Sequence, residues 1–269
     1  LFGNPALALP GLSAARAKAL HHGKLLVSGF GAYTMRTEYG VLFGRSEAQL
    51  GFRRFDPFLT ALGEAGHALP ARLRSAGWRS IFVHPHDLGF YGRDRIMPAA
   101  GFDELLGEAD FPPPGPGEGR YVTDAALGSR IVELANAACC PTLIYAVSIE
   151  NHGPWPADQA SGGGRQSGAY LRLARKGDAM LSRLVTALGA RGRPALLVFF
   201  GDHRPSIPGL SDPGGDRHTP YVVLRFGTTG RLEPGDAAPR ALSPAELHAV
   251  IVQTLAGPAA VASAPSTVR

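Results

Sequence analysis

The sequence predicts an α/β domain built on a mostly parallel sheet, and three observations carry that prediction. Apolar runs of strand length recur along the 269 residues, separated by stretches whose apolar positions fall at helical spacing. The run Ala195–Phe200 (ALLVFF) lacks polar alternation, as expected of a strand covered on both faces. No linker, internal repeat or low-complexity segment divides the chain. One domain is therefore expected over residues 1–257, with 258–269, mostly small residues, as a flexible tail.

The elements follow in order. Lys24–Phe30 (KLLVSGF) is a short strand, and Pro70–Ala76 is the end of a helix stopped by Gly77. Arg79–Val83 is an apolar strand, and Pro112–Gly119 a Pro/Gly loop. Thr123 caps a helix with Leu127, Ile131, Leu134 and Ala138 on one face. Thr142–Ser148 (TLIYAVS) is a strand, and Gly162–Gly168 a flexible loop. Tyr170–Leu188 is a long helix with Leu173, Leu181, Leu184, Val185 and Leu188 inward and Gly189 past its end. Tyr221–Phe226 is a further strand after Ala195–Phe200. Ser243-Pro244-Ala245-Glu246 is a capping box with Pro at the first helical position. It opens a last helix with Leu247, Val250, Ile251 and Leu255 inward.

Composition narrows the function classes. The chain is 45% hydrophobic and 18% charged, an ordinary globular balance, and its 35 Gly and 23 Pro predict many loops. No apolar run approaches the roughly 18 residues of a membrane span. The net charge is +5, but the 24 Arg and 3 Lys are dispersed, without the dense basic run of a nucleic-acid binder. A mild positive field favours anionic substrates such as phosphate esters. Cys139 and Cys140 are the only cysteines. Being adjacent, they give neither a disulfide framework nor a zinc spacing, and are expected to pack as small apolar residues before a strand.

In such sheets ligands bind beyond the carboxyl ends of the strands. Three strands discharge a His and an acid there: His84-Pro85-His86-Asp87, Glu150-Asn151-His152 and Asp202-His203. Asp202 and His203 pair a carboxylate with an imidazole, donors suited to a divalent metal. Alone, Asp202 also reads as a turn cap, and His84 and His152 as loop histidines. Convergence on one sheet edge is what favours chemistry. His86 and Asp87 read as ordinary loop residues. His152 suits proton transfer to a substrate oxygen. Arg93 suits phosphate oxygens through its planar fork, and His218 stands before a strand where it can line the same edge.

The nucleophile is sought in Gly29–Tyr39, GFGAYTMRTEY. The dinucleotide fingerprint fails, because Thr34 replaces the third Gly and the later acid is missing. Walker A and GxSxG are absent. What is left is a small-residue loop presenting Thr34 or Thr37 where a helix begins, a setting that favours bound phosphate, although Thr34 reads equally well as a cap.

The ordered set Thr-x-x-Thr-Glu (34–38), His84 with Arg93, Asn-His-Gly-Pro (151–154) and Gly-Asp-His (201–203) resembles the alkaline phosphatase/sulfatase superfamily. More narrowly, it is similar to the lipoteichoic acid synthase-like branch of phosphoglycerol transferases, over about Leu7–Gly257. The resemblance implies a three-layer sandwich with a mostly parallel central sheet. It implies Thr34 as nucleophile and metal ligand, Asp202 and His203 as metal ligands, and His152 as catalytic. His84, Tyr91, Arg93 and His218 would bind substrate, Tyr91 standing where Trp is common. One divalent metal is implied, Mn first, with Mg or Zn as alternatives.

The pattern departs in one respect. The family's first strand, ending in a Glu or Asp ligand, has no counterpart before Leu25, and Pro5–Leu20 resembles the helix that follows it. The chain also opens on Leu rather than Met. It is thus expected to lack the N-terminal strand and one ligand, as a segment of a longer, membrane-anchored protein at the periplasmic or extracellular face of a bacterial cell envelope. The Cys/Ser-x-Pro-x-Arg segment of sulfatases proper is absent, which argues against sulfate ester hydrolysis.

The implied activity moves a phosphoglycerol-type headgroup from an anionic phospholipid, or another phosphodiester donor, to a glycan or polymer hydroxyl. A phospho-threonine intermediate would carry it. A phosphodiesterase or sulfatase-like hydrolase, and a non-catalytic phosphoglycan-binding pseudoenzyme, are the alternatives.

Overall fold

A computed structural model describes residues 8–155, 164–208, 210–211, 216–235 and 238–256. The middle layer consists of two sheets. One has the order β3–β2–β4, formed by β2 (Arg79–Val83), β3 (Glu104–Leu106) and β4 (Thr142–Ala146), all parallel. The other has the order β5–β6–β1–β8, formed by β1 (His21–Leu25), β5 (Ala195–Phe200), β6 (Thr219–Phe226) and β8 (Arg240–Leu242). A short β7 (Leu232–Glu233) pairs with β6.

The α/β layering matches the expectation, and the parallel rule holds in the first sheet only. In the second, β6 runs antiparallel to both β5 and β1, and only β1 and β8 are parallel. The cause is the connection from β5 to β6. No crossover helix is described in it, and a parallel return needs one.

Helices cover both faces. On one lie α2 (Thr34–Phe43), α3 (Glu47–Leu50), α4 (Leu69–Arg74), α5 (Arg93–Ala99) and α8 (Pro244–Ala256). Their cluster joins Tyr39, Phe43, Met97 and Leu247 to Leu25, Phe82, Tyr145 and Tyr221 of the strands. On the other face lie α1 (Pro10–Arg16), α6 (Asp124–Ala137) and α7 (Gly164–Ala190). There Leu12, Leu127, Leu181 and Leu184 pack on Ile81, Val83, Val222 and Leu224. β6 shows the period-2 consequence: Tyr221 and Val223 enter one cluster, and Val222, Leu224 and Phe226 the other.

β4 and β5 each stand at the end of a sheet, yet they share their surroundings. Leu143 of β4 joins Leu196, Val198 and Phe200 of β5 on the first face, and Ile144 joins Leu197 and Phe199 on the second. All six residues of β5 stay partly exposed, although each is apolar.

Several boundaries move. The first strand is His21–Leu25 rather than Lys24–Phe30, because residues 26–29 run on without ladder pairing until Phe30 bridges Arg204. The segment 162–168, read as a loop, is helical from Gly164 onward, and 162–163 lie outside the described residues. A glycine in a helix costs only about 1 kcal/mol, so it does not stop a helix held by tertiary packing. For the same reason α7 passes through Gly189 to Ala190. Cys139 and Cys140 are exposed in the turn between α6 and β4, not packed. The capping predictions hold: Thr123 Oγ1 accepts from the Ala126 amide at 3.2 Å, and Ser243 and Glu246 form a reciprocal box. The tail 258–269 and residues 5–7 of the first helix lie outside the described residues.

Candidate active site

Beyond β1 the chain crosses to the segment after β5, where the Gly31 amide donates to the Arg204 carbonyl at 2.8 Å. Two left-handed residues then turn it, Gly31 (φ 68°) and Tyr33 (φ 72°). At Gly31 a Cβ would sit 2.5 Å from Cβ of Ser206, so both the backbone angle and the close approach require glycine. Tyr33 holds the same region at a cost of about 1 kcal/mol. This turn starts α2 at Thr34, the first helical residue.

Thr34 Oγ1 donates to Oδ2 of Asp202 at 2.6 Å, and His203 Nε2 lies 3.3 Å from the same oxygen. Thr37, one turn further on the same helix face, donates from Oγ1 to the backbone carbonyl of Asp202 at 2.6 Å. The two threonines therefore fix the start of α2 on the end of β5. A hydroxyl, a carboxylate and an imidazole converge there at a helix N-terminus, where negative charge is favoured. These donors suit Mn, Mg or Zn in kind. In number they are few: among the described residues no three His, Cys, Asp or Glu side chains group around one point.

Around this cluster stands a wall of rings. His84 and His86 stack at 5.7 Å, His86 meets Tyr121 at 5.9 Å, and Tyr121 meets His152 edge-on at 5.9 Å. His84 is buried, with Nδ1 2.9 Å from the Val147 carbonyl, so Nδ1 carries the proton and Nε2 offers a lone pair. Burial first, then the charge of Arg93, pushes its pKa down to about 4 against the Val147 bond. His84 is thus neutral at pH 7 and poorly suited to give up a proton. His152 is exposed, and its Nδ1 lies 2.7 Å from the Gly153 carbonyl.

Arg93 is only 1% exposed, and its fork is spent on a carboxylate: Nε and Nη2 donate to the two oxygens of Glu38 at 3.2 and 2.6 Å. The open phosphate clamp expected from the sequence is instead a buried bidentate pair tying α5 to α2. Breaking such a pair by removing one partner costs about 3–5 kcal/mol. Tyr91, at a left-handed φ of 63°, lies 5.1 Å from the Arg93 guanidinium, and burial raises its pKa. The charge of Asp202 acts on Tyr91 in the same direction as burial, and that of Arg93 acts on His84.

His218 is not part of the Thr34 cluster. It pairs with Asp216 and lines an adjoining cleft of about 550 Å³ with Arg36, Arg45, Arg54 and Arg217. Glu150 also turns away: it is buried, accepts from the Asp124 amide at 2.7 Å and pairs with Lys176. Asp87 caps the Gly89 amide at 2.8 Å, as an ordinary turn residue does. Sequence reasoning misses Tyr121 and undervalues His86. Neither belongs to a spaced motif, and only the fold brings their rings together.

A sequence model of the Sulfatase family matches residues 1–253. The capsular polysaccharide biosynthesis protein RkpI of Rhizobium meliloti (strain 1021) is 33% identical over 227 residues, which are 83% of this chain and 42% of that protein. The chain thus spans less than half the length of this curated relative. Among solved structures, the phosphoglycerol transferase GacH of Streptococcus pyogenes, in complex with sn-glycerol-1-phosphate, superposes with a TM-score of 0.71 at 17% identity, covering 90% of this chain and 66% of that one. The lipoteichoic acid synthase LtaP of Listeria monocytogenes gives a TM-score of 0.66 at 18% identity, covering 92% and 65%.

Proposed function

Because this chain belongs to the Sulfatase family, we propose that it transfers a phosphoglycerol-type headgroup from an anionic lipid or similar phosphodiester to a glycan or polymer hydroxyl. The observation that carries the reading is the 2.6 Å hydrogen bond from Thr34 Oγ1 to Asp202, at the first residue of a helix and beside His203. The fold shared with a phosphoglycerol transferase that binds sn-glycerol-1-phosphate supports the donor class. The relative in capsular polysaccharide biosynthesis supports a glycan acceptor.

Thr34, Asp202 and His203 would hold one divalent cation, manganese before magnesium or zinc, which when bound lowers the pKa of a hydroxyl and polarises a phosphoryl oxygen. The chain's own residues supply the rest. Asp202 holds the Thr34 hydroxyl in place, and the α2 N-terminus favours the charge that develops on its oxygen. Thr34 Oγ1 passes its proton to Asp202 Oδ2, 2.6 Å away, and bonds to phosphorus, the ester bond to the leaving alkoxide breaks, and His152 gives that alkoxide a proton. The acceptor hydroxyl then passes its proton to His152 and bonds to phosphorus, and Thr34 leaves and takes its proton back from Asp202. Water in the second step makes the same site a phosphodiesterase.

Neutral His84 accepts a hydrogen bond from a substrate hydroxyl at Nε2, as suits a glycerol group. Tyr91 bounds the substrate space, and Arg93, paired with Glu38, lies behind its ring and fixes α5 on α2. The reading places the domain on the outer side of a cell membrane. Among the described residues no helix is long and apolar enough to cross one.

Turnover of bis(4-nitrophenyl) phosphate with added Mn²⁺ tests the assignment. Thr34→Ala is expected to lose at least about a hundredfold in kcat, and mass spectrometry of the wild-type protein given a glycerophosphodiester should find the glycerophosphoryl adduct on the Thr34 peptide. Wild-type turnover by Thr34→Ala overturns the nucleophile.

A further inference from the structure

Two 3-10 segments next to α2, Gly51–Phe55 and Pro57–His67, carry apolar side chains where the core does not take them. Phe52 is 92% exposed and Leu59 82%, and Phe55 and Leu62 are about half exposed. A 3-10 helix has three residues per turn, so positions i and i+3 share one side. Phe52 and Phe55 form one such row, and Leu59 and Leu62 a second. The intervening Phe58, Ala61 and Glu64 face inward. The outward rows are held and do not dangle: buried Glu64 accepts from Arg53 and forms an ion pair with Arg45, each at 2.7 Å.

Cationic groups sit at the base of these rows. Arg54 stacks on the Phe55 ring at 4.8 Å, and Arg36 lies 5.4 Å from Phe55 and 4.5 Å from Tyr33. Arg36 Nε and Nη2 donate to the Phe55 carbonyl at 3.1 Å, neither guanidinium forms an ion pair with a carboxylate among the described residues, and both line the 550 Å³ cleft. The ladder ends at Tyr33, next in the chain to Thr34. The surface thus runs from exposed apolar side chains, through the guanidinium groups that lie against Phe55 and Tyr33, to the residue before the proposed nucleophile.

We infer that this face docks on a bilayer containing anionic phospholipid, with Phe52 and Leu59 entering the acyl boundary and Arg54 and Arg36 meeting headgroup phosphates. The order of the groups selects this occupant. Apolar tips beside guanidinium groups that no carboxylate neutralises match the layering of acyl chain and phosphate in a membrane interface, whereas a second copy of this face would set cation against cation. The inference rests on the reading that the donor is a lipid headgroup, and it adds how that headgroup is presented to Thr34.

The test is sedimentation of the 269-residue chain with vesicles of phosphatidylcholine alone or with 30% phosphatidylglycerol. Wild type is expected to bind the mixed vesicles at least tenfold better than the neutral ones, and Phe52→Ser/Leu59→Ser and Arg54→Gln each to lose that binding while keeping the wild-type thermal melt. Thr34→Ala should bind as wild type does, so a failure of the nucleophile assignment leaves this result untouched. Equal binding by wild type and Phe52→Ser/Leu59→Ser overturns the docking face. So does a wild-type dimer in light scattering that the double variant loses, with no vesicle binding by either.

Discussion

Acid acts on His84 in the direction its burial dictates. In the unfolded chain its pKa returns to 6.5, while the folded protein holds it near 4. Between those values the unfolded state binds a proton that the native state refuses, so stability falls as pH drops through that window, by roughly 3 kcal/mol at most. Asp124 runs the other way. Burial and then Glu150 push its carboxyl up to about 7 from 3.8, so it costs stability as pH rises through an overlapping range. The two slopes partly cancel in the wild type, and only a difference measurement separates them. His84→Asn keeps a donor for the Val147 carbonyl but cannot take up the proton. Urea titrations from pH 4 to 7.5 should show the variant losing less stability than wild type below pH 6.5, with parallel behaviour above it. Parallel curves throughout would mean that His84 titrates normally in the native state.

At the scale of elements, the position of Thr34 depends on how closely α2 and α8 approach. Gly40, in the middle of α2, faces Pro244 at the start of α8, where an added Cβ would lie 2.5 Å from the Pro244 Cβ. The proline ring cannot rotate aside, so Gly40→Ala must part the two helices. Overpacking of this kind costs about 1–3 kcal/mol, against a gain of about 1 from helix propensity. We expect a lower Tm and a larger fall in kcat than in substrate affinity, since α2 carries Thr34 and Thr37 on Asp202. A variant at least as stable as wild type would show that the contact yields. Nothing in the sequence marks Gly40, because a tight crossing joins residues about two hundred apart. The elements legible beforehand are those with strong periodicity, an apolar run or caps, α6, α7, α8, β2, β4, β5 and β6. Left unread are β3, β7 and β8, of two or three residues each, and the 3-10 run from Gly51 to His67, whose period of three suits neither the helix nor the strand pattern. The site divides likewise: Thr34, Asp202 and His203 stand in motifs at strand and helix ends, whereas the Glu38–Arg93 pair and Tyr121 depend on which faces the fold brings together.

At the scale of the whole molecule the middle layer is interrupted between β4 and β5. Their side chains enter the same clusters above and below, and among the described residues neither strand is paired on its second edge. An all-apolar strand whose every residue stays partly exposed is unusual in the centre of a sandwich, since central strands are covered on both sides. Among the described residues the second edge of β5 is open to one more extended segment, and a strand laid parallel to β5 there would end level with Asp202, where the donors among the described residues are few. Backbone amides report this directly. In the 269-residue chain, amides of β5 bonded to β6 should exchange with deuterium slowly, while alternate amides of β5 directed away from β6 should exchange at least about a hundredfold faster, because an unpaired amide is protected only by burial. Uniformly slow exchange along β5 would mean that its second edge is already paired. The interrupted layer would then be closed, and the donors for a metal would have to be completed from elsewhere.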